Sequence, residues 1–385
     1  MSLWIRRPWP RAASRPVGPR SNLRSHANLT GGRAIPGPER REEPEAAEQP
    51  GRGDRPGNEA ASAAPGSRET AVCVRGLRRR FGDFWAVDGV DLSVGQGEVV
   101  GLLGPNGSGK STTIRMICGL LVPTEGTIRV AGLDPVRQAL AVKSRIGYMT
   151  QHFSLYADLT VAENLEFYGA TYGLRRRERA EAQERWLSLL GLEDYAHRPL
   201  GEAPPGWTRR AAFACAVIAD PPVLLLDEPT SGVDRETSDL LWRLCARQAE
   251  SGAAVLVTTH WLAEAERCDR ACIIAAGRVV GEGPPQELRR GLRGRILGVQ
   301  AEPIGRGLAA LKAWERALAV AVVGPWIRVE VEGDAAAAVE EVGRVLEGAG
   351  ARLKAAEPLE PTLDDVFVHL VTSNRGGRSD GEVAR

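Results

Sequence analysis

The sequence predicts an α/β fold built around a mostly parallel sheet, and three stretches carry that prediction. "EVVGLLGPNGSGKSTTIRMICGLL", Glu98 to Leu121, runs from a strand pattern through a glycine-rich loop into an apolar helix pattern. "PVLLLDE" and "AAVLVTTH", residues 222–228 and 253–260, are short apolar runs with little alternation, as expected of parallel strands covered on both faces. A chain of 385 residues, 43% of them hydrophobic, is long enough to bury one large domain and a smaller one.

Residues 1–68 are rich in Arg, Pro, Gly, Ala and Glu, with neither an apolar period nor the apolar segment of a secretory signal, and read as a disordered, solvated tail. From about residue 69, "AVCVRGLRRRFGDFWAVDGVDLSVGQGEVVGLLG" alternates apolar and polar residues between Gly and Asp turns, which predicts short strands of an antiparallel β subdomain. Between about Thr160 and Asp220, "VAENLEFYGATYG" and "RAEAQERWLSLLGL" place apolar residues at three- and four-residue spacing, the pattern of a helical subdomain. Strand patterns return up to about residue 288. Beyond it, "ILGVQAE", "LAALKAWERAL", "WIRVEVEG" and "DAAAAVEEVGRVLEGAG" alternate strand and helix, predicting a small separate α+β domain over 289–374 and a tail over 375–385.

Net charge is +1, which gives no overall pull toward nucleic acid or an anionic membrane surface, so no nucleic-acid partner is expected. Six scattered cysteines suit small buried thiols in a reducing compartment. Cys268 and Cys272 have no second pair to complete a metal tetrahedron. No run approaches the roughly 18 apolar residues of a membrane span, so any membrane role is expected to be peripheral.

"GPNGSGKS", comprising Gly104, Pro105, Asn106, Gly107, Ser108, Gly109, Lys110 and Ser111, fits the phosphate-loop pattern with the strand and helix that pattern requires. The glycines let backbone N–H groups turn inward around phosphate oxygens, and the helix N-terminus adds partial positive charge. Lys110 is expected to reach the β- and γ-phosphates, and Ser111 to offer its hydroxyl to Mg2+. The chain carries 46 arginines and four lysines, so a lysine at this position is informative. A compact ammonium fits inside such a loop where a planar guanidinium does not. Asp227 and Glu228 end a strand, the place where ligands bind in open α/β sheets. Asp227 is expected to hold Mg2+ through water, and Glu228 to orient and polarise the attacking water.

Three more stretches complete a pattern: "YMTQHFSLYADLTVAENL" sets Gln151 just past an apolar strand, "EPTSGVD" follows the carboxylate pair, and "VLVTTH" ends on His260. In this order the set resembles the ATP-binding subunits of ABC transporters, over about residues 71–288. The resemblance implies a P-loop NTPase of the ABC type that binds ATP and Mg2+. It implies that Gln151 touches Mg2+ and senses nucleotide, that Thr112 belongs with the loop in binding it, and that His260 is the switch near the γ-phosphate. Asp234 would cross a dimer interface, and Phe81, 29 residues ahead of Lys110, would stack on adenine. "TTHWLAEAERCDR" and "EPTLDDVFVHLV" look like bacterial ABC-2-type drug-efflux ATPases, second cassettes of tandem proteins in particular. That resemblance implies a separate membrane permease, a second cassette in a homo- or heterodimer, and a peripheral place on the cytoplasmic face of the inner membrane. The closing domain resembles the small accessory domain of such exporters.

One stretch departs from the family. Where the signature loop offers Ser and Gly donors to the γ-phosphate of the opposite subunit, this chain reads Ala203, Pro204, Pro205, Gly206 and Trp207. Proline has neither hydroxyl nor N–H, so at least two donors are lost; Gly206 and the helix dipole remain. Two readings follow: an ATP-hydrolysing subunit of an exporter, or a nucleotide-sensing regulatory cassette with weak hydrolysis. Trp207 is expected to pack rather than touch nucleotide.

Overall fold

A computed structural model describes residues 69–151, 155–333 and 335–376. The expected tail over 1–68 lies outside the described residues, as do residues 377–385 of the tail expected over 375–385. The opening strands differ from expectation. β1 (Thr70–Phe81) and β2 (Phe84–Gly95) are 12 residues each, one long antiparallel hairpin rather than short strands, with register irregularities that let the ladder continue past Gly76. β3 (Val99–Leu103) leads through the glycine loop into α1 (Lys110–Ile117), and β4 (Glu125–Val130) joins β1 to give an antiparallel sheet of order β2-β1-β4.

After α2 (Ala139–Lys143) and β5 (Ile146–Met149) come the three helices of the insertion, α3 (Val161–Thr171), α4 (Arg176–Leu190) and α5 (Pro205–Val217). The start of α3 is written in the sequence: the Thr160 side chain accepts from Glu163 N–H while the Glu163 carboxylate accepts from Thr160 N–H, a reciprocal cap. β6 (Val223–Asp227), α6 (Arg235–Glu250), β7 (Ala254–Thr259), β8 (Arg270–Ala275), β9 (Arg278–Gly283) and α7 (Pro285–Arg290) complete this part of the chain. The central sheet has the order β5-β6-β7-β3-β8-β9, parallel except for β9. Every residue of β3, β6 and β7 is buried, because both faces are covered. Trp186, Phe213 and Leu165 of the insertion share a core with Leu224, Leu226, Val255 and Val257, while Val100, Leu102, Leu225 and Leu256 share the other core with Ile114 and Val74.

β10 (Arg295–Glu302), α8 (Ile304–Lys312), β11 (Ala317–Val323), β12 (Trp326–Val331), α9 (Ala335–Gly348), β13 (Arg352–Leu359) and α10 (Leu363–Gly376) form the C-terminal part. Its antiparallel sheet, β11-β12-β10-β13, has its own core with Leu311, Val342 and Leu346 on Leu297, Val299, Ile327 and Val329. This part is nevertheless less detached than the sequence suggests. Arg328 grips Asp365 of α10 through Nε (2.8 Å) and Nη2 (2.7 Å), and His369 Nδ1 lies 2.6 Å from Glu330 Oε2. The apolar side of the same helix, Leu363 and Val366 with Phe367 and Leu370, packs on Leu103, Ala265 and Ile273 of the larger part. α10 also runs to Gly376, past the expected boundary at 374.

Candidate functional site

Because β6, β7 and β3 are neighbours, their C-terminal ends deliver the carboxylate pair, the strand-end histidine and the glycine loop to one edge of the sheet. Register makes this concrete: Asp227 lies across from Thr258, and Leu103 from Thr259. Glu228 follows with φ 51°, a left-handed backbone that costs a non-glycine residue about 1–3 kcal/mol. Its N–H donates to Thr258 O (3.1 Å) and Thr258 Oγ1 (3.0 Å), which holds that turn in place.

The Thr258 hydroxyl in turn donates to Asp227 Oδ1 at 2.6 Å, and Ser111 Oγ donates to the same oxygen at 3.1 Å. The other oxygen, Asp227 Oδ2, is buried without a hydrogen-bond partner among the described residues. A buried, unpartnered carboxylate oxygen beside a hydroxyl is the hard donor set that suits Mg2+. No cluster of three or more His, Cys, Asp or Glu residues able to hold a metal is found among the described residues. Burial pushes the thiols of Cys268 and Cys272 up to about 12.

Lys110 is 4% exposed and donates from Nζ to Gly104 O (2.7 Å) and Pro105 O (3.1 Å), with Glu228 Oε1 at 3.9 Å. Burial pulls its pKa below the ordinary lysine value, and the charges of Glu228 and Asp227 oppose that shift. The buried Glu228 carboxylate is met from two further sides. Gln151 Nε2 donates to Oε2 at 3.1 Å, and His260 Nδ1 stands 3.3 Å from the same oxygen, within electrostatic reach but not aligned as a hydrogen bond. A cleft of about 370 Å³ opens over these groups, bounded by Phe81, Phe84 and Ala86, by Asn106, Gly107 and Gly109 to Thr112, and by Gln151 and Glu228. Phe81 is half exposed, and the Arg79 guanidinium lies 4.7 Å from its ring centroid.

Gly104 is indispensable to this loop. Its φ is +150°, and a Cβ there would stand 2.2 Å from Ile274 O and 2.8 Å from Ser108 Oγ. Gly104→Ala is therefore expected to weaken nucleotide binding about tenfold or more while leaving the far core intact. Equilibrium titration with a fluorescent ATP analogue checks this.

Gly206 and Asp234 are brought together, but not into the cleft. Asp234 caps α6, accepting Thr237 N–H at Oδ1 (2.8 Å) and the Thr237 hydroxyl at Oδ2 (2.9 Å), and these bonds hold its carboxyl below the usual range. A Cβ on Gly206 would lie 3.3 Å from Asp234 Oδ2 and from Thr237 Oγ1, a tight contact that would press on that cap. The structure also explains Pro205. It occupies the first position of α5, where an N–H has no intrahelical acceptor, and the first described intrahelical bond is Thr208 N–H to Pro204 O at 3.1 Å. Trp207 stacks on Tyr195, ring centroids 4.1 Å apart and planes 27° apart, and so packs as expected.

Sequence reasoning passed over Thr258, Phe84 and Arg209. Thr258 was visible in "VTTH", but only sheet register shows that it faces Asp227. Arg209 Nη2 donates to Gln151 O at 2.7 Å across 58 residues of chain, which no local spacing reveals.

A family model described as "ABC transporter" matches residues 87–231. The "Daunorubicin resistance ATP-binding protein DrrA3" of Streptomyces coeruleorubidus is 37% identical over 80% of this chain and 98% of its own length. This chain belongs to the ABC transporter ATP-binding proteins. Its fold is the ABC ATPase cassette. The "Probable multidrug ABC transporter ATP-binding protein YbhF" of Escherichia coli (strain K12) is 44% identical over 57% of this ABC protein, which spans 38% of that relative's length. Among solved structures, a dimeric post-hydrolysis state of the ATP-binding cassette MJ0796 bound to ADP and Pi matches with a TM-score of 0.50. It is 29% identical and covers 55% of this chain and 98% of that one. No helix among the described residues is long and apolar enough to cross a membrane.

Proposed function

We propose that this chain hydrolyses Mg-ATP at the cleft over Lys110 and Glu228, and that turnover drives export through a separate ABC-2-type membrane permease. Residues 69–288 form the nucleotide-binding cassette in this reading, and 289–374 an accessory domain. The observation that carries it is the buried Glu228 carboxylate, set by a left-handed backbone at the end of β6 within 3.9 Å of Lys110, 3.1 Å of Gln151 and 3.3 Å of His260.

The phosphate chain of ATP lies in the loop from Gly104 to Ser111, with Lys110 on its β- and γ-oxygens and the adenine against Phe81. Glu228 accepts a proton from water as the new O–P bond forms and the bond to the ADP oxygen breaks. Gln151 and His260 keep that carboxylate oriented toward the reacting end. Ser111 and Asp227, with Gln151 nearby, would hold Mg2+, which would supply charge neutralisation on the phosphate oxygens. Two cassettes close head to tail at the cytoplasmic face of the inner membrane, so Gly206 and Asp234 face the partner's nucleotide. The names of the daunorubicin-resistance and multidrug relatives support export, and the dimeric cassette supports the pairing.

Co-purification of the full chain from native membranes tests the assignment. The expected result is recovery of a polytopic permease whose presence raises Mg-ATP turnover; recovery without any membrane partner contradicts it. The Pro204→Ser, Pro205→Gly double variant tests the sensor reading. Hydrolysis within about threefold of the unmodified chain is expected, because Gly206 and Trp207 keep their N–H groups. A rise of about tenfold or more identifies a loop held back by its prolines.

A further inference from the structure

The stretch that opens α5 ends in two arginines, Arg209 and Arg210, which reach different neighbours. Arg209 donates from Nη2 to Gln151 O (2.7 Å) and from Nη1 to Thr150 O (3.4 Å). Arg210 donates from Nη2 and Nε to Thr237 Oγ1 (3.0 and 3.3 Å), the residue that holds Asp234. The first turns of α5 are thus tied on one side to the loop whose Gln151 side chain meets Glu228, and on the other to the cap of α6 beside Gly206. The planar fork of the guanidinium meets the two consecutive carbonyls with two separate nitrogens in a fixed relative geometry.

We propose that Arg209 is a positioning residue: by clamping the Thr150–Gln151 backbone to α5 it fixes the Gln151 amide against Glu228. The proposal rests on the reading of the cleft as a hydrolytic site. Its consequence is a mechanical link within one chain. The N-terminus of α5, where a second cassette's nucleotide would be met, is joined through Arg209 and Gln151 to this chain's own catalytic carboxylate. Whatever shifts α5 shifts Gln151 relative to Glu228.

The test uses the full chain with its permease and compares Arg209→Met, Arg209→Lys, Gln151→Ala and the Arg209→Met, Gln151→Ala double variant. Arg209→Met is expected to lower kcat about tenfold or more, the loss of a charge-assisted hydrogen bond, with KM for ATP within about twofold. Arg209→Lys recovers part of kcat. The double variant is no slower than Gln151→Ala alone, because both act on one amide. Wild-type kcat in Arg209→Met, or effects that multiply in the double variant, overturn the proposal. Melting temperature and Mg-ATP affinity are read for each protein; if Arg209→Met does not melt cooperatively, Arg209→Lys with and without Gln151→Ala supplies the same comparison. Glu228→Gln in parallel separates the two levels. If it retains turnover, the hydrolytic reading fails; if it does not and the Arg209 results go the wrong way, only the positioning role fails.

Discussion

Replacing Lys110 by alanine is expected to weaken Mg-ATP binding by about 10- to 100-fold, and replacing it by arginine to weaken it nearly as much. Lys110 is 4% exposed, and its ammonium sits in a slot formed by Gly104 O and Pro105 O with Glu228 at 3.9 Å. Removing the charge leaves Glu228 and Asp227 without their nearest buried cation just where a polyanion must enter, so repulsion adds to the lost contacts. A guanidinium keeps the charge but needs a wider, planar space that the turn at Gly104 does not provide. Arginine dominates the basic residues of this chain, so Lys110→Arg is the more telling substitution. Equilibrium binding of a fluorescent ATP analogue with Mg2+ measures both. Binding by Lys110→Arg within about threefold of the unmodified chain would contradict the point-charge argument.

Much of the site was legible because its chemistry sits in contiguous stretches with fixed local geometry. A strand running into Gly104–Ser111 and then an apolar helix leaves few ways to fold. Strand-end residues such as Asp227 and His260 were legible for the same reason. The hairpin was misjudged because Gly76 and Gly89, with φ of 53° and 76°, read as turns that end strands, whereas here they let a bulged strand continue. Thr258 and Arg209 were missed for a different reason. Their roles depend on which strand neighbours which and on where α5 rests, both set by long-range packing. The same holds for α10, whose packing against Leu103 and Ala265 brings together segments far apart in the chain. Pro205 is the instructive case of a residue that looked like a defect in sequence and is well placed in structure, at the first position of a helix.

Glu228→Gln is the substitution with the largest expected effect on turnover. The amide is nearly the same size and can keep the hydrogen bond with Gln151, but it cannot take a proton from water and it removes the negative charge facing Lys110. Loss of a general base is worth about 100- to 10000-fold in rate, and nucleotide binding, which rests on the phosphate loop, should stay within about threefold or tighten. The decisive measurement is release of inorganic phosphate from Mg-ATP by the full chain with its permease, unmodified and Glu228→Gln side by side at matched nucleotide occupancy. The predicted result is equal occupancy with phosphate release at least about 100-fold slower in the variant. Phosphate release from Glu228→Gln at the unmodified rate would contradict the assignment of Glu228, and with it the claim that this cleft is where the chain hydrolyses ATP.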